Sequence, residues 1–280
     1  MHEFDESTDD LAWAIFRYAL DRVKTDPPLD GPRSHQELWE AVGQTITDDG
    51  IGGESALAAF ADHLAPACLS TDHPRFLSFV PGAPTNASVL FDLVVGASAM
   101  CATSWLEAAG TVYAENQALR WVADLVGLPE GAGGCFASGG TMGNLSALIA
   151  ARDDAMRRRE AEGSGRPVRW AVVVSDGAHS SIDSAARVMD VDVLLATTGD
   201  DRRLRGDEVR AAIAARPEGT EVFAVVATAG TTNLGVVDAL DEVAEATAEH
   251  GAWFHVDGAY GGAALAAGSV RSHFAGIERC

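Results

Sequence analysis

The sequence predicts an α/β fold: a mostly parallel β-sheet with helices on both faces, preceded by a helical segment over residues 1–72. Two observations predict it. Beyond residue 133, short runs rich in β-branched residues alternate with helical stretches, as in consecutive strand–helix units. Residues 222–227, Val-Phe-Ala-Val-Val-Ala, do not alternate between apolar and polar, which is typical of a strand buried on both faces. The sheet-forming domain is assigned to residues 73–280.

Capping, glycine and proline signals place the elements in order. Thr8 and Asp9 can cap a first helix, which Pro27 and Pro28 end, and short helices follow near residues 36–46 and 55–64. Gly127 ends a helix over residues 112–126. Strands are expected at 134–137, 170–175, 191–196, 222–228 and 253–256, and helices at 141–162, 180–189, 207–215 and 240–250.

Charge and cysteine content argue against several classes of protein. Acidic residues number 41 against 20 basic ones, and the formal charge of -21 disfavours nucleic acid and anionic membranes as partners. The four cysteines form no C-x-x-C pair of a zinc or redox site. The N-terminus is acidic where a signal peptide would be basic, and the most apolar stretch, residues 89–105, contains Asp92. We therefore expect a cytoplasmic protein.

Ligands of parallel sheets lie beyond the carboxyl ends of the strands, so those ends are the places to search. The first is Ser-Gly-Gly-Thr-Met-Gly-Asn, residues 138–144, which opens a long helix. Glycines there let backbone N–H groups approach an anion, and the helix dipole favours negative charge. Gly139, Gly140 and Thr141 therefore predict a phosphate site; the alternative is a tight turn with an ordinary threonine cap.

The second strand end carries His179 at the start of a helix. The positive end of the helix disfavours the imidazolium, so a neutral ring could stack on a flat ligand. Alternatively His179 only caps the helix. A Ser-His-Asp hydrolase is conceivable from the neighbouring Ser180 and Ser181, but no G-x-S-x-G segment exists.

Two further strand ends complete the set of candidates. Thr231 lies in Thr-Ala-Gly-Thr-Thr, which offers hydroxyl groups or is simply a turn. Asp257 ends a buried strand, where a carboxylate is costly unless it is paired. A permanently protonated ring nitrogen would be a suitable partner. His255 and Asp257 could instead bind a metal, but no third ligand is evident, so no metal is expected.

Taken together, five segments resemble the group II pyridoxal-phosphate (PLP) dependent amino-acid decarboxylases, such as the aromatic-amino-acid, glutamate and diaminobutyrate enzymes. In chain order they are HPRFLSFVPG, LVGLPEGAGGCFASGGTMGN, VSDGAHSSIDSAAR, AVVATAGTTNLGVVD and WFHVDGAYGG. Several linked motifs in one order are more specific than any one of them. The resemblance implies the large domain of a fold type I PLP enzyme, without its C-terminal small domain, and decarboxylation of an L-amino acid, typically by a homodimer.

The resemblance also implies roles for single residues. Gly139, Gly140 and Thr141 would hold the cofactor phosphate. His179 would stack on the pyridine ring, and Asp257 would pair with its nitrogen.

Three more roles follow from the same resemblance. Thr231 would lie near the cofactor and the substrate carboxylate, and Ala259 would pack on the other ring face. Phe79 and Pro81 would line the pocket for the amino-acid substrate.

The lysine that binds the cofactor covalently in this family follows an AGIER-like stretch, which here is close to Cys280. The only lysine of this sequence is Lys24, in the N-terminal helical segment. The sequence therefore predicts a fragment, or one part of a split enzyme with a complementary C-terminal chain. The alternatives are an inactive binding protein with the same fold and another fold type I reaction, namely that of a transaminase, desulfurase or lyase.

Overall fold

The computed structural model describes residues 4–79, 82 and 84–280 in two compact units, residues 1–100 and 101–280. The predicted division at residues 72/73 follows where the motifs begin rather than compactness, and it stays a prediction. No helix among the described residues is both long enough and apolar enough to cross a membrane.

The first unit is helical, with α1 Glu6–Lys24, α2 His35–Val42, α3 Gly53–Ala59 and α4 Asn86–Ala97. The cap predicted at Thr8 and Asp9 is wrong. Asp5 caps α1, because its Oδ1 accepts a hydrogen bond from the Thr8 backbone N–H at 2.9 Å, so Thr8 is inside the helix. A reciprocal capping box of Ser34 and Glu37 begins α2.

The second unit contains all the described strands. Its elements are α5 Trp105–Val126, α6 Gly140–Ala161, β1 Arg169–Ser175, α7 Ser181–Met189, β2 Asp192–Ala196, α8 Gly206–Ala214, β3 Thr220–Thr228, α9 Leu240–Glu249 and β4 Trp253–Asp257. Short 3-10 turns follow at Gly261–Ala266, Arg271–Phe274 and Ile277–Arg279. Gly127 ends α5 in the left-handed conformation at φ 92°, as predicted.

The sheet confirms the predicted α/β class. Its strand order is β2-β1-β3-β4 and every pair is parallel. Because the strands are parallel, their carboxyl ends share one edge; Thr228 at the end of β3 is opposite Asp257 at the end of β4. β1 and β3 bury side chains on both faces, and Phe223 is fully buried.

Helices cover the two faces of this sheet. On one face α8 and α9 pack against β3 through buried side chains such as Val209, Ile213 and Val243. On the other face α6 and α7 contribute Leu148 and Ile182. This second face carries α6, which begins at the carboxyl edge of the strands.

One predicted strand, residues 134–137, is wrong. Those residues form no strand and join no ladder among the described residues, and Phe136 is exposed. Its backbone N–H donates to a side chain, the Glu115 carboxylate, at 3.5 Å, rather than to a strand. A β-rich run becomes a strand only where a neighbouring strand offers hydrogen bonds.

Candidate active site

Four segments of the second unit meet at the carboxyl edge of the sheet. They are the start of α6, the β1–α7 loop with His179, the loop after β3 with Thr231, and the end of β4 with Asp257. The sequence predicted each of them separately, and the fold places them at one edge.

α6 begins at a turn that leaves its first amides without a side-chain cap. Gly139, the residue before α6, has φ 97°, a conformation that favours glycine. A Cβ atom at Gly140 would lie 2.9 Å from the Cβ of Ala259. The backbone of α6 thus lies against the loop after β4. The Gly139 carbonyl accepts from the N–H groups of Met142 and Gly143, which leaves those of Gly140 and Thr141 to bind an anion.

The Asp257 carboxylate is buried, with 8% of the residue exposed. Its Oδ2 accepts a hydrogen bond from the Asn144 side-chain amide at 2.9 Å, and its Oδ1 accepts one from the Ala259 backbone N–H at 3.1 Å. No arginine or lysine of the described residues forms an ion pair with it. A buried anion without a cation is costly, so the site is suited to a cationic ligand group.

Asn144 connects Asp257 to two other polar side chains. Its Nδ2 also donates to Ser181 Oγ at 2.9 Å, and its Oδ1 lies 2.8 Å from His255 Nε2. Burial lowers the pKa of His255 below its ordinary value of 6.5, and the Asp257 charge opposes that shift. The imidazole of His255 is therefore neutral at neutral pH and donates from Nε2.

His179 lies at the other end of this set of hydrogen bonds. Its Nδ1 is 2.9 Å from Ser181 Oγ and 3.2 Å from the Ser181 backbone nitrogen. The ring itself is exposed and lines a cleft of about 560 Å³. One ring nitrogen is thus engaged by protein, while the face is open to a ligand.

Thr231 lines the same cleft from the loop after β3. It is buried, and its Oγ1 accepts a hydrogen bond from the Val236 backbone N–H at 3.1 Å. The hydroxyl therefore shapes its own loop, and its proton is available to another acceptor.

Asp238, which the sequence did not indicate, fixes the base of that loop. Its side chain is fully buried and accepts hydrogen bonds from the backbone N–H groups of Leu204 and Thr228, at 2.9 and 2.7 Å. Burial raises its pKa to about 6, although both N–H donors and the charge of Arg203 oppose that shift. One carboxylate thus joins the end of β3 to the chain that leads into α8.

Of three other residues singled out from the sequence, two lie in the first unit and one lies outside the described residues. Phe79 lies in the first unit, exposed and with φ 59°. Pro81 lies outside the described residues. Lys24 is the last residue of α1, also in the first unit.

Asn144 and Ser181 were missed as site residues. A usable signal was present for Asn144: it follows Thr141 by three positions, so both face the same side of α6, and asparagine is a poor residue for a helix interior. Ser181 was noted only as part of a rejected hydrolase pattern. No group of three or more histidine, cysteine or acidic side chains suited to a metal ion occurs among the described residues.

Comparison with known proteins identifies the class of protein to which this site belongs. The family model of the pyridoxal-dependent decarboxylase conserved domain matches residues 44–280. Aromatic-L-amino-acid decarboxylase of Bacillus atrophaeus is 34% identical over 86% of this chain and 50% of its own length. L-2,4-diaminobutyrate decarboxylase of Rhizobium meliloti (strain 1021) is 32% identical over 97% of this chain and 56% of its own length.

Solved structures agree with this result. The structure of mouse CSAD superposes with a TM-score of 0.88 at 25% identity, over 98% of this chain and 59% of that one. The chain spans about half the length of the curated relatives it matches. This chain belongs to the pyridoxal-dependent decarboxylase family, and PLP is the cofactor of that family.

The described residues fit this cofactor. Its phosphate suits the uncapped first turn of α6, and its protonated ring nitrogen supplies the cation that the buried Asp257 carboxylate lacks. The close approach of Gly140 to Ala259 leaves no room for a larger side chain between these two groups.

Proposed function

We propose that this chain provides the cofactor-binding part of a PLP-dependent decarboxylase that acts on an L-amino acid. The observation that carries the proposal is the Asp257 carboxylate. It is buried, it has no ion-pair partner among the described residues, and it is hydrogen bonded to Asn144 of the helix whose first turn can bind phosphate.

In this proposal the backbone N–H groups near Gly139, Gly140 and Thr141 bind the phosphate. Asp257 holds a proton on the ring nitrogen, since a carboxylate in a buried site favours the cationic form of its partner. When bound, PLP takes up the electron pair that CO2 leaves behind. His179 stacks on one face of the ring.

The substrate side of the site is proposed from the resemblance. Ala259 packs on the second ring face, and Thr231 directs its free hydroxyl proton to the substrate carboxylate. The resemblance alone assigns Phe79 and Pro81 to the pocket for the amino-acid side chain. We further propose a cytoplasmic homodimer.

Decarboxylation also needs the lysine that anchors the cofactor in this family. The only lysine of this sequence is Lys24, so we propose that a complementary C-terminal segment supplies the anchor. The chain is in this view a fragment or one part of a split enzyme.

Equilibrium dialysis of PLP against the 280-residue chain tests the cofactor site. Wild type should retain PLP reversibly, and Asp257→Asn should weaken retention about tenfold or more, because a hydrogen bond to a charged group is lost. Asp153→Asn is the matched control: Asp153 is exposed on α6, where it pairs with Arg157. Equal retention by wild type and Asp257→Asn would refute the site.

A second experiment tests the reaction. The chain is mixed with PLP and with the polypeptide encoded downstream of Cys280, or with the C-terminal half of a relative. Release of labelled CO2 is then measured from carboxyl-labelled aromatic amino acids, glutamate and diaminobutyrate. These are the substrates for which the related decarboxylases and the members of the group II family are named. Release from at least one of them is expected, whereas retention of PLP without release from any would contradict decarboxylation.

That last outcome would favour a second candidate, a non-catalytic PLP-binding protein. The single lysine at position 24 is the observation in its favour. It predicts cooperative unfolding of the chain alone and PLP retention that no complementary segment converts into turnover. A transaminase, desulfurase or lyase would instead release keto acid, sulfide or another product from the same mixture.

A further inference from the structure

Five polar side chains form one connected set of hydrogen bonds beneath the proposed cofactor site. Asn144 is bonded to His255, Asp257 and Ser181, and Ser181 is bonded in turn to His179. Asn144 is at the centre and is buried, with 4% of the residue exposed. Asn144, Asp257 and Ser181 are buried, and buried polar groups are costly unless they are paired, so the direction of each bond can be worked out.

The direction starts at Asp257. An ionised carboxylate only accepts, so Asn144 must turn its amide nitrogen toward Asp257 Oδ2. The second hydrogen of that nitrogen then reaches Ser181 Oγ at 2.9 Å. The amide oxygen is left facing His255 Nε2 at 2.8 Å, and the proton of His255 must therefore lie on Nε2.

The same logic continues to His179. Ser181 Oγ already accepts from Asn144, so its own proton can be donated to His179 Nδ1 at 2.9 Å. The Ser181 backbone N–H reaches the same nitrogen at 3.2 Å. Two donors on Nδ1 require a lone pair there, which leaves the proton of the neutral ring on Nε2.

We infer that Asn144 is a positioning residue that sets the orientation of the Asp257 carboxylate and, through Ser181, the tautomer and ring plane of His179. The inference rests on the proposed function in one respect: the roles of Asp257 and His179 in binding the cofactor ring. The side-chain amide of Asn144 would thus orient both Asp257, which pairs with the ring nitrogen, and His179, which stacks on the ring.

The inference distinguishes two variants of similar shape. In Asn144→Asp the new carboxylate cannot donate, and it faces Asp257 as a like charge. Ser181→Ala removes the hydroxyl that links Asn144 to His179 and leaves His179 Nδ1 with the backbone N–H of residue 181 alone. The bonds of Asn144 to Asp257 and His255 stay. If Asn144 only stabilised the fold, the effect on His179 could not be separated from the effect on Asp257 and His255.

Long-range proton–nitrogen NMR of the 15N-labelled chain without PLP reads both tautomers directly. The His179 and His255 signals are assigned with His179→Gln and His255→Gln. Wild type should show protonated Nε2 and hydrogen-bonded, unprotonated Nδ1 for His179, and protonated Nε2 for His255. Ser181→Ala should change the His179 pattern alone, and Asn144→Ala should change both.

PLP retention gives the second readout. Asn144→Ala and Asn144→Asp should raise the dissociation constant about tenfold or more, and Ser181→Ala by less, because it keeps the bond to the charged group. Ser146→Asp is the control: it adds the same charge at an exposed position on α6. Thermal unfolding of every variant separates loss of positioning from loss of fold.

Unchanged His179 and His255 signals in Asn144→Ala would overturn the inference, as would a change at His255 in Ser181→Ala. If Asn144→Ala does not fold, Ser181→Ala decides alone. Failure of the proposed function has a different signature: the wild-type chain would retain no PLP, while the tautomers of the cofactor-free chain still report on the hydrogen bonds.

Discussion

Gly140, the first residue of α6, lies so close to Ala259 that a Cβ on Gly140 would be 2.9 Å from the Ala259 Cβ. Real Cβ atoms almost never approach this closely. The start of α6 and the loop that follows Asp257 can therefore lie this close together only because residue 140 has no side chain.

Gly140→Ala should force these two segments apart. We expect a loss of about 1–3 kcal/mol in unfolding free energy from overpacking, and weaker PLP retention because the phosphate and ring-nitrogen sites separate. Gly143→Ala is the control: a Cβ there meets nothing within 4 Å, and alanine in a helix interior should stabilise by about 0.5–1 kcal/mol. Denaturant unfolding measures both, and equal stability of the two variants would contradict the prediction.

Gly261→Ala should be more harmful than Gly262→Ala. A Cβ at Gly261 would collide with the carbonyl oxygen of Ala229, whereas one at Gly262 meets nothing within 4 Å. The first variant should lower the unfolding free energy by about 1–3 kcal/mol and shift the loop that carries Thr231. Urea titration of both proteins checks the difference, and a Gly261→Ala protein as stable as Gly262→Ala would refute this contact.

Asp238 should make stability fall as pH rises from about 4 to 6. Its folded pKa of about 6 lies above the ordinary aspartate pKa of 3.8, so the folded state binds the proton more tightly and loses that advantage as the pH passes the folded pKa. The stability of wild type relative to Asp238→Asn should fall by at most about 3 kcal/mol across this window. Unfolding at several pH values measures it, and a flat difference would show that Asp238 does not titrate in this range.

Thr231→Val and Thr231→Ser should separate the hydroxyl from the methyl group. The Oγ1 of Thr231, a buried residue, accepts a hydrogen bond from the Val236 backbone N–H. Valine leaves that N–H unpaired, at a cost of about 1–3 kcal/mol, whereas serine retains the bond. Thermal unfolding compares them; a valine variant as stable as wild type would mean that water replaces the hydroxyl.

The sequence predicted the fold well where periodicity and burial act together. The run that became β3 is apolar throughout because helices cover it on both faces, and the carboxylate at the end of β4 stood out because buried charge is rare. The strand expected at residues 134–137 failed because its local composition could not reveal whether a neighbouring strand would pair with it.

The connections between site residues were harder to predict. Asn144, Ser181 and His255 are ordinary polar residues in the sequence, and only the packing of α6 and α7 on one sheet face brings them together. Asp238 was hidden for the same reason: nothing local indicates that its partners are the backbone N–H groups of Leu204 and Thr228.

The hydrogen bond between Asn144 and Asp257 joins residues 113 positions apart in the chain. The chain between these two residues contains β1, β2 and β3 and the helices that connect them. Contacts of such large sequence separation form slowly, because the entropy of closing the intervening loop opposes them. During refolding, affinity for PLP should therefore appear after helical structure has recovered. PLP binding would then report when the fold is complete.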